Sequence, residues 1–171
     1  MITKLENPKT ENYLNFKSFV LSGEFPWFYS SGTLDEEECN DVPFFGYSFL
    51  ARSGSPNYCV SPSPYTNEAS NLFLEILFHN NIDIHLFYRM NANLVMPTSS
   101  PVSTLPHTDH DYPHHNMIIY LTSSGGPTIV EGERFFPEED DVIIFDGSLT
   151  HFHKTSLSKR RIVLVSTFLV K

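Results

Sequence analysis

Between Glu11 and Leu21 the apolar side chains Tyr13, Leu14, Phe16, Phe19, Val20 and Leu21 recur at helical intervals, and Gly23 then stops the pattern. A first helix is predicted over 11–21. The stretch "TNEASNLFLEILFHNN" predicts a second and stronger one. Thr66 or Asn67 can cap it, Glu68 lies in the first turn, where the helix dipole favours negative charge, and Leu72, Phe73, Ile76 and Leu77 form one apolar face. Between the two helices, residues 23–65 mix aromatics with Gly, Ser and Pro. Short strands and long loops packed on a core are expected there. After the second helix the period changes. "IDIHLFYRMNANLVM", "HNMIIYL", "TIVEGERFFP", "DDVIIFDG" and "RRIVLVSTFLV" are short apolar or alternating runs, separated by turns such as "TSSGGP". Strands at this spacing indicate a sandwich or barrel. No repeat or linker divides the chain, so one domain over 1–171 is expected. Residues 1–80 would form a helical and loop elaboration and residues 81–171 the β core. The last strand, ending at Phe168 to Val170, is expected to be interior.

At 171 residues the chain is long enough to bury a single core without staples. Hydrophobic residues make up 40% of it, yet no apolar run approaches the roughly 18 residues of a membrane span. The N-terminal "MITKLENPKTENYLNF" has no apolar export segment, which points to a soluble, cytoplasmic protein without membrane partners. A formal charge of −9 repels polyanions, so a nucleic-acid partner is not expected. Cys39 and Cys59 fall outside any C-x-x-C spacing and read as reduced thiols.

The densest chemistry lies in "PHTDHDYPHH", residues 106–115. His107 and Asp109 are two apart, which in extended chain places both on one face, about 7 Å apart along the backbone. That spacing can clamp one metal ion. The third ligand has two candidates, His151 and His153, directly after "DVIIFDG". Two histidines and a carboxylate on one triangular face leave three positions open, the arrangement that binds non-haem Fe(II) for oxygen chemistry; zinc or manganese would also fit. A metallo-β-lactamase arrangement fails, because "HTDHD" lacks the order H-x-H-x-D-H.

A lone H-x-D is a weak signal, and the order of features around it is what strengthens it. "HTD" is followed by "MIIYL", "SSGGPTIV", "DVIIFDGSLTH" and "RIVLVSTF", with Arg161 ten residues after His151. Over residues 85–170 this string resembles the Fe(II)/2-oxoglutarate-dependent oxygenases, in particular the prolyl-4-hydroxylase-like branch and its small phage-type members. "FPWFY" and "RMNANL" are softer matches to the phage-type members. The resemblance implies a mainly β, α+β fold with a double-stranded β-helix core, the cupin-like jellyroll, and flanking helices.

The resemblance also implies roles. His107, Asp109 and His151 would hold Fe(II), with His153 the rival to His151. The co-substrates would be 2-oxoglutarate, chelating the metal through its 1-carboxylate and 2-keto oxygen, and O2. Arg161 would grip the far carboxylate with two parallel hydrogen bonds, while Arg160 points to solvent. Tyr120, just before Leu121, and Asn93 are further cofactor-binding candidates. His110, Asp111 and Tyr112 either touch substrate or join His114 and His115 in a polar rim. The reaction implied is hydroxylation of an unactivated C–H with release of succinate and CO2. A prolyl residue in a peptide or protein is the first candidate substrate, in a groove formed by residues 51–65 and the aromatics of 25–47; a small molecule is the other. The alternatives are a non-catalytic cupin-like module binding a metal or small ligand, and a barrel metal enzyme without 2-oxoglutarate. The carboxylate at Asp109 counts against the last, since such enzymes usually bind through three histidines.

Overall fold

The alternation of side chains along the last strand, β10 (Arg161–Val170), sets out the architecture of the computed structural model, which describes residues 1–31, 42–52 and 63–171. Ile162, Leu164 and Phe168 turn to one side and join a core with the helices. Val163 and Val165 turn to the other and join a second, smaller core. A strand buried on both faces reads as a continuous apolar run, which is why "RIVLVSTFLV" carries so little alternation.

Among the described residues, β10 lies at the centre of a seven-stranded antiparallel sheet. To one side are β5 (His115–Tyr120), β8 (Val142–Asp146) and, at the edge, β1 (Thr3–Leu5); to the other are β4 (Ile84–Val95), β3 (Phe44–Leu50) and β2 (Phe28–Ser30). A second sheet of three strands follows the order β7 (Glu133–Phe135), β6 (Thr128–Val130), β9 (His151–His153). Together they form the jellyroll expected from the sequence, mostly β with two helices among the described residues. The strands of residues 1–80 add to the same large sheet at both of its edges.

Both helices fall where their periodicity predicts, α1 at Glu11–Leu21 and α2 at Thr66–His79. Leu72, Phe73, Ile76 and Leu77 of α2 are all at most 1% exposed and pack with Met90, Met117, Ile119 and Leu164 of the large sheet. Burying each such side chain contributes about 1.5–3 kcal/mol. The cap of α2 differs from expectation. Tyr65 is the N-cap and offers no side-chain bond; Thr66 is the first helical residue, and its hydroxyl contacts the carbonyls of Phe49 and Ser63 at 2.7 and 2.8 Å. Thr66 therefore ties the helix to β3. α1 is pinned where Asp140 accepts from the Tyr13 hydroxyl and pairs with Lys17, each at 2.5 Å.

The run "TIVEGERFFP" is two strands rather than one. Glu131 and Gly132 take φ of 47° and 83° between β6 and β7, and two consecutive positive φ values are what a tight two-residue hairpin turn requires. Among the described residues no helix is long and apolar enough to cross a membrane.

Candidate metal centre

His107 and His151 face each other across an isolated antiparallel bridge. The His107 backbone N–H donates to the His151 carbonyl at 3.1 Å and the reverse bond is 2.9 Å. This continues the small sheet beyond β9 and brings the two rings to 4.6 Å between centroids. Each ring is then fixed by the same local device. Nδ1 of His107 donates to the carbonyl of Leu105 at 2.9 Å, and Nδ1 of His151 to that of Leu149 at 3.0 Å. A carbonyl can only accept, so the Nδ1 atoms carry protons, and in a neutral ring this leaves Nε2 for a ligand.

Asp109 completes the group: one ligand atom from each of His107, Asp109 and His151 lies within 4.8 Å of the others. Arg89 donates to Asp109 Oδ1 at 2.8 Å and Arg52 to the same atom at 3.4 Å, while Asn116 donates to Oδ2 at 2.8 Å. Burial opposes ionisation of Asp109, but the contact with His151 and the Arg89 charge outweigh it, and the carboxyl is held well below the usual range. Burial lowers His107 below the ordinary histidine value, and the neighbouring His151 adds to this. An ionised carboxylate and a neutral imidazole are the protonation states that bind metal. Two nitrogens and one oxygen, all within 4.8 Å of one another, fit a divalent transition metal such as Fe(II).

The group opens into a cavity of about 170 Å³ between the sheets. Arg161 lies on the inner face of β10, in register with Val95. It is 6% exposed and donates to the Thr128 hydroxyl at 2.7 Å and, at 3.4 Å, to both the Ser124 hydroxyl and the Gly126 carbonyl. Arg160, one residue earlier, is exposed. Tyr120 is fully buried beneath Arg161, whose guanidinium carbon is 4.9 Å from the ring centroid, and its hydroxyl meets Thr128 at 2.7 Å. Tyr120 thus stands behind the cavity wall, and Thr128 lines it. Asn93 lines the cavity from β4 and accepts from the Asn91 amide at 2.8 Å. His153 also lines it, outside the three-residue group.

The other histidines of "PHTDHDYPHH" do not form a rim. His114 is 2% exposed and packs on Gly147, where an added Cβ would lie 2.2 Å from its ring. His115 opens β5 with its ring stacked on Phe168. His110 is 8% exposed, meets the Thr167 hydroxyl at 2.8 Å and stacks on Tyr112 at 4.6 Å; Asp111 is exposed. Most of the groove anticipated over 51–65, part of that over 25–47, and both Cys39 and Cys59, lie outside the described residues.

Sequence reading missed Arg52, Arg89, Asn116 and Thr128. Two of them had a signal. Arg89 shares the inward parity of Asn93 on β4, and Asn116 that of Tyr120 on β5. Thr128 and Arg52 needed the packed sheets to be seen.

No family model and no curated protein matches this chain by sequence. Solved structures match its fold. An oxidoreductase of the 2OG-Fe(II) oxygenase family from Burkholderia pseudomallei aligns over 98% of this chain and 85% of its own, with TM-score 0.68 and 14% identity. A Trichoplax adhaerens prolyl hydroxylase, solved with a hypoxia-inducible-factor peptide fragment, aligns over 98% and 83% with TM-score 0.63 and 14% identity. A Pseudomonas putida prolyl-4-hydroxylase aligns over 99% and 91% with TM-score 0.58 and 14% identity. The chain therefore has the jellyroll fold of the 2OG-Fe(II) oxygenases and prolyl hydroxylases, with a His-Asp-His group inside it.

Proposed function

We propose that this protein is an Fe(II)- and 2-oxoglutarate-dependent dioxygenase that hydroxylates an unactivated C–H, releasing succinate and CO2. The observation that carries the reading is one cavity holding both the His107–Asp109–His151 group and the buried guanidinium of Arg161. When bound, the metal with 2-oxoglutarate and O2 supplies the oxidising power for C–H cleavage, chemistry that no side chain of the chain can provide.

The chain's own residues supply placement. The Nδ1–H bonds of His107 and His151 hold both rings in the ligand tautomer, and Asn116 and Arg89 orient the Asp109 carboxylate. Arg161 offers a planar, permanently charged fork to the far carboxylate of 2-oxoglutarate, with Thr128 beside it and the Tyr120 ring supporting it from behind. Val163, Val165 and Ile118 line the cavity with apolar surface, which strengthens each charge interaction inside. A prolyl residue in a peptide is the first substrate to test, in keeping with the peptide carried by the Trichoplax adhaerens neighbour.

Anaerobic addition of Fe(II) and 2-oxoglutarate to the purified protein is expected to give the weak visible charge-transfer band of the chelate, and O2 is then expected to yield succinate. Absence of both in protein shown to hold iron would sink the proposal in favour of a metal-binding module without catalysis. Persistence of the band in a His107→Ala, Asp109→Ala double variant would sink the ligand assignment.

A further inference from the structure

Among the described residues lining the cavity, three guanidiniums, those of Arg52, Arg89 and Arg161, stand against one carboxylate, Asp109. Two positive charges are in excess there, in a chain whose formal charge is −9. Arginine keeps its proton in proteins, so the excess persists at any working pH. The charges are also divided in space. Arg89 is in register with Thr167 of β10, six residues from Arg161, a backbone distance of roughly 20 Å. Arg161 is the buried end, whereas the side chains of Arg89 and Arg52 are 26% and 41% exposed.

Arg89 and Arg52 converge on a single atom, Asp109 Oδ1. One carboxylate oxygen does not neutralise two guanidiniums, and a metal ion ligated by Asp109 would draw on the same charge. A divalent cation adds two positive charges and 2-oxoglutarate two negative ones, so the loaded cavity keeps its excess of two. We propose that Arg52 and Arg89 receive a carboxylate carried by the substrate, at the end of the cavity opposite Arg161. The inference rests on the oxygenase reading above. The carboxylate belongs either to a free amino acid or to an acidic side chain of a peptide, since two converging guanidiniums recognise the same planar anion in both.

The test is calorimetry on the full-length protein loaded with Mn(II), a redox-quiet stand-in for Fe(II), and saturated with N-oxalylglycine in place of 2-oxoglutarate. One arm compares each free L-amino acid with its C-terminal amide; the other compares capped tripeptides containing Asp or Glu with their Asn or Gln counterparts. At least one acid is expected to bind about tenfold more tightly than its neutral partner. In Arg52→Gln that ratio is expected to fall to within about twofold, and Arg52→Lys to restore part of it, each measured with Mn(II) and N-oxalylglycine kept saturating. No preference for acids in either arm, or a preference intact in Arg52→Gln, overturns the inference and leaves the oxygenase reading standing. Failure of Mn(II) and N-oxalylglycine to bind at all overturns both.

Discussion

Asn116 shows how much of this site is made by residues that would touch no metal. Its amide donates to Asp109 Oδ2 at 2.8 Å and lies 3.3 Å from His151 Nε2, so it sets the angle of one candidate ligand against another. Asn116→Ala is expected to weaken metal binding by about 10–100-fold, the usual effect of removing such a partner; metal titration of wild type and variant checks it. Arg161→Lys keeps the charge but loses the fork. Under the proposed function, 2-oxoglutarate affinity should fall at least about tenfold while metal affinity stays unchanged, and equal 2-oxoglutarate affinity in the two proteins would count against the role of Arg161.

The β6–β7 hairpin and the anchoring of α1 depend on a few side chains each. Gly132 sits at φ 83° with open space around its Cα, so Gly132→Ala meets backbone strain and no clash. A loss of about 1–2 kcal/mol in urea unfolding is expected. The α1 anchor is electrostatic. Burial would raise the Asp140 pKa, but its bonds from Lys17, Tyr13 and Lys9 outweigh this and lower it. Burial would lower the Lys17 pKa, and Asp140 and Glu139 raise it instead. A depressed carboxyl stabilises above its unfolded pKa of about 3.9 and loses that contribution as pH falls through the folded value. A raised ammonium stabilises below about 10.4 and loses its contribution as pH rises through the folded value. Melting temperature should therefore hold across the neutral range and drop on both sides, and Asp140→Asn should flatten both limbs. A variant as steep as wild type in acid would exclude Asp140 as the group responsible.

Across the whole molecule, the helices and the small sheet cover opposite faces of one large sheet. Leu72 is fully buried on the helix side, where Leu72→Ala is expected to cost about 2–5 kcal/mol in chemical denaturation. The same variant should leave the candidate metal group intact in whatever fraction stays folded, because that group lies on the opposite face of the sheet. β10 pairs with β4 and β5 along nearly its full length, so deleting its final residues removes the middle of the sheet and should abolish cooperative unfolding.

Local periodicity made the two helices and most strands legible, because residues 3 or 4 apart, or 2 apart, share a face whatever else the chain does. Spacing put His107 and Asp109, two residues apart, on one face, while joining them to His151 and choosing Arg161 over Arg160 rested on the order of motifs that resembles the oxygenases. Three things depended on packing. The break at Glu131–Gly132 was hidden because an apolar run reads the same with or without a turn. His114 looked like a solvated loop residue, and its packing against Gly147, His110 and Tyr112 buries it. Arg52, Arg89, Asn116 and Thr128 come from four distant stretches of chain, and no one-dimensional pattern links them. The jellyroll brings them into one cavity because its strands pair across long sequence separations, and that closure creates the burial and charge balance on which the chemistry of the site rests.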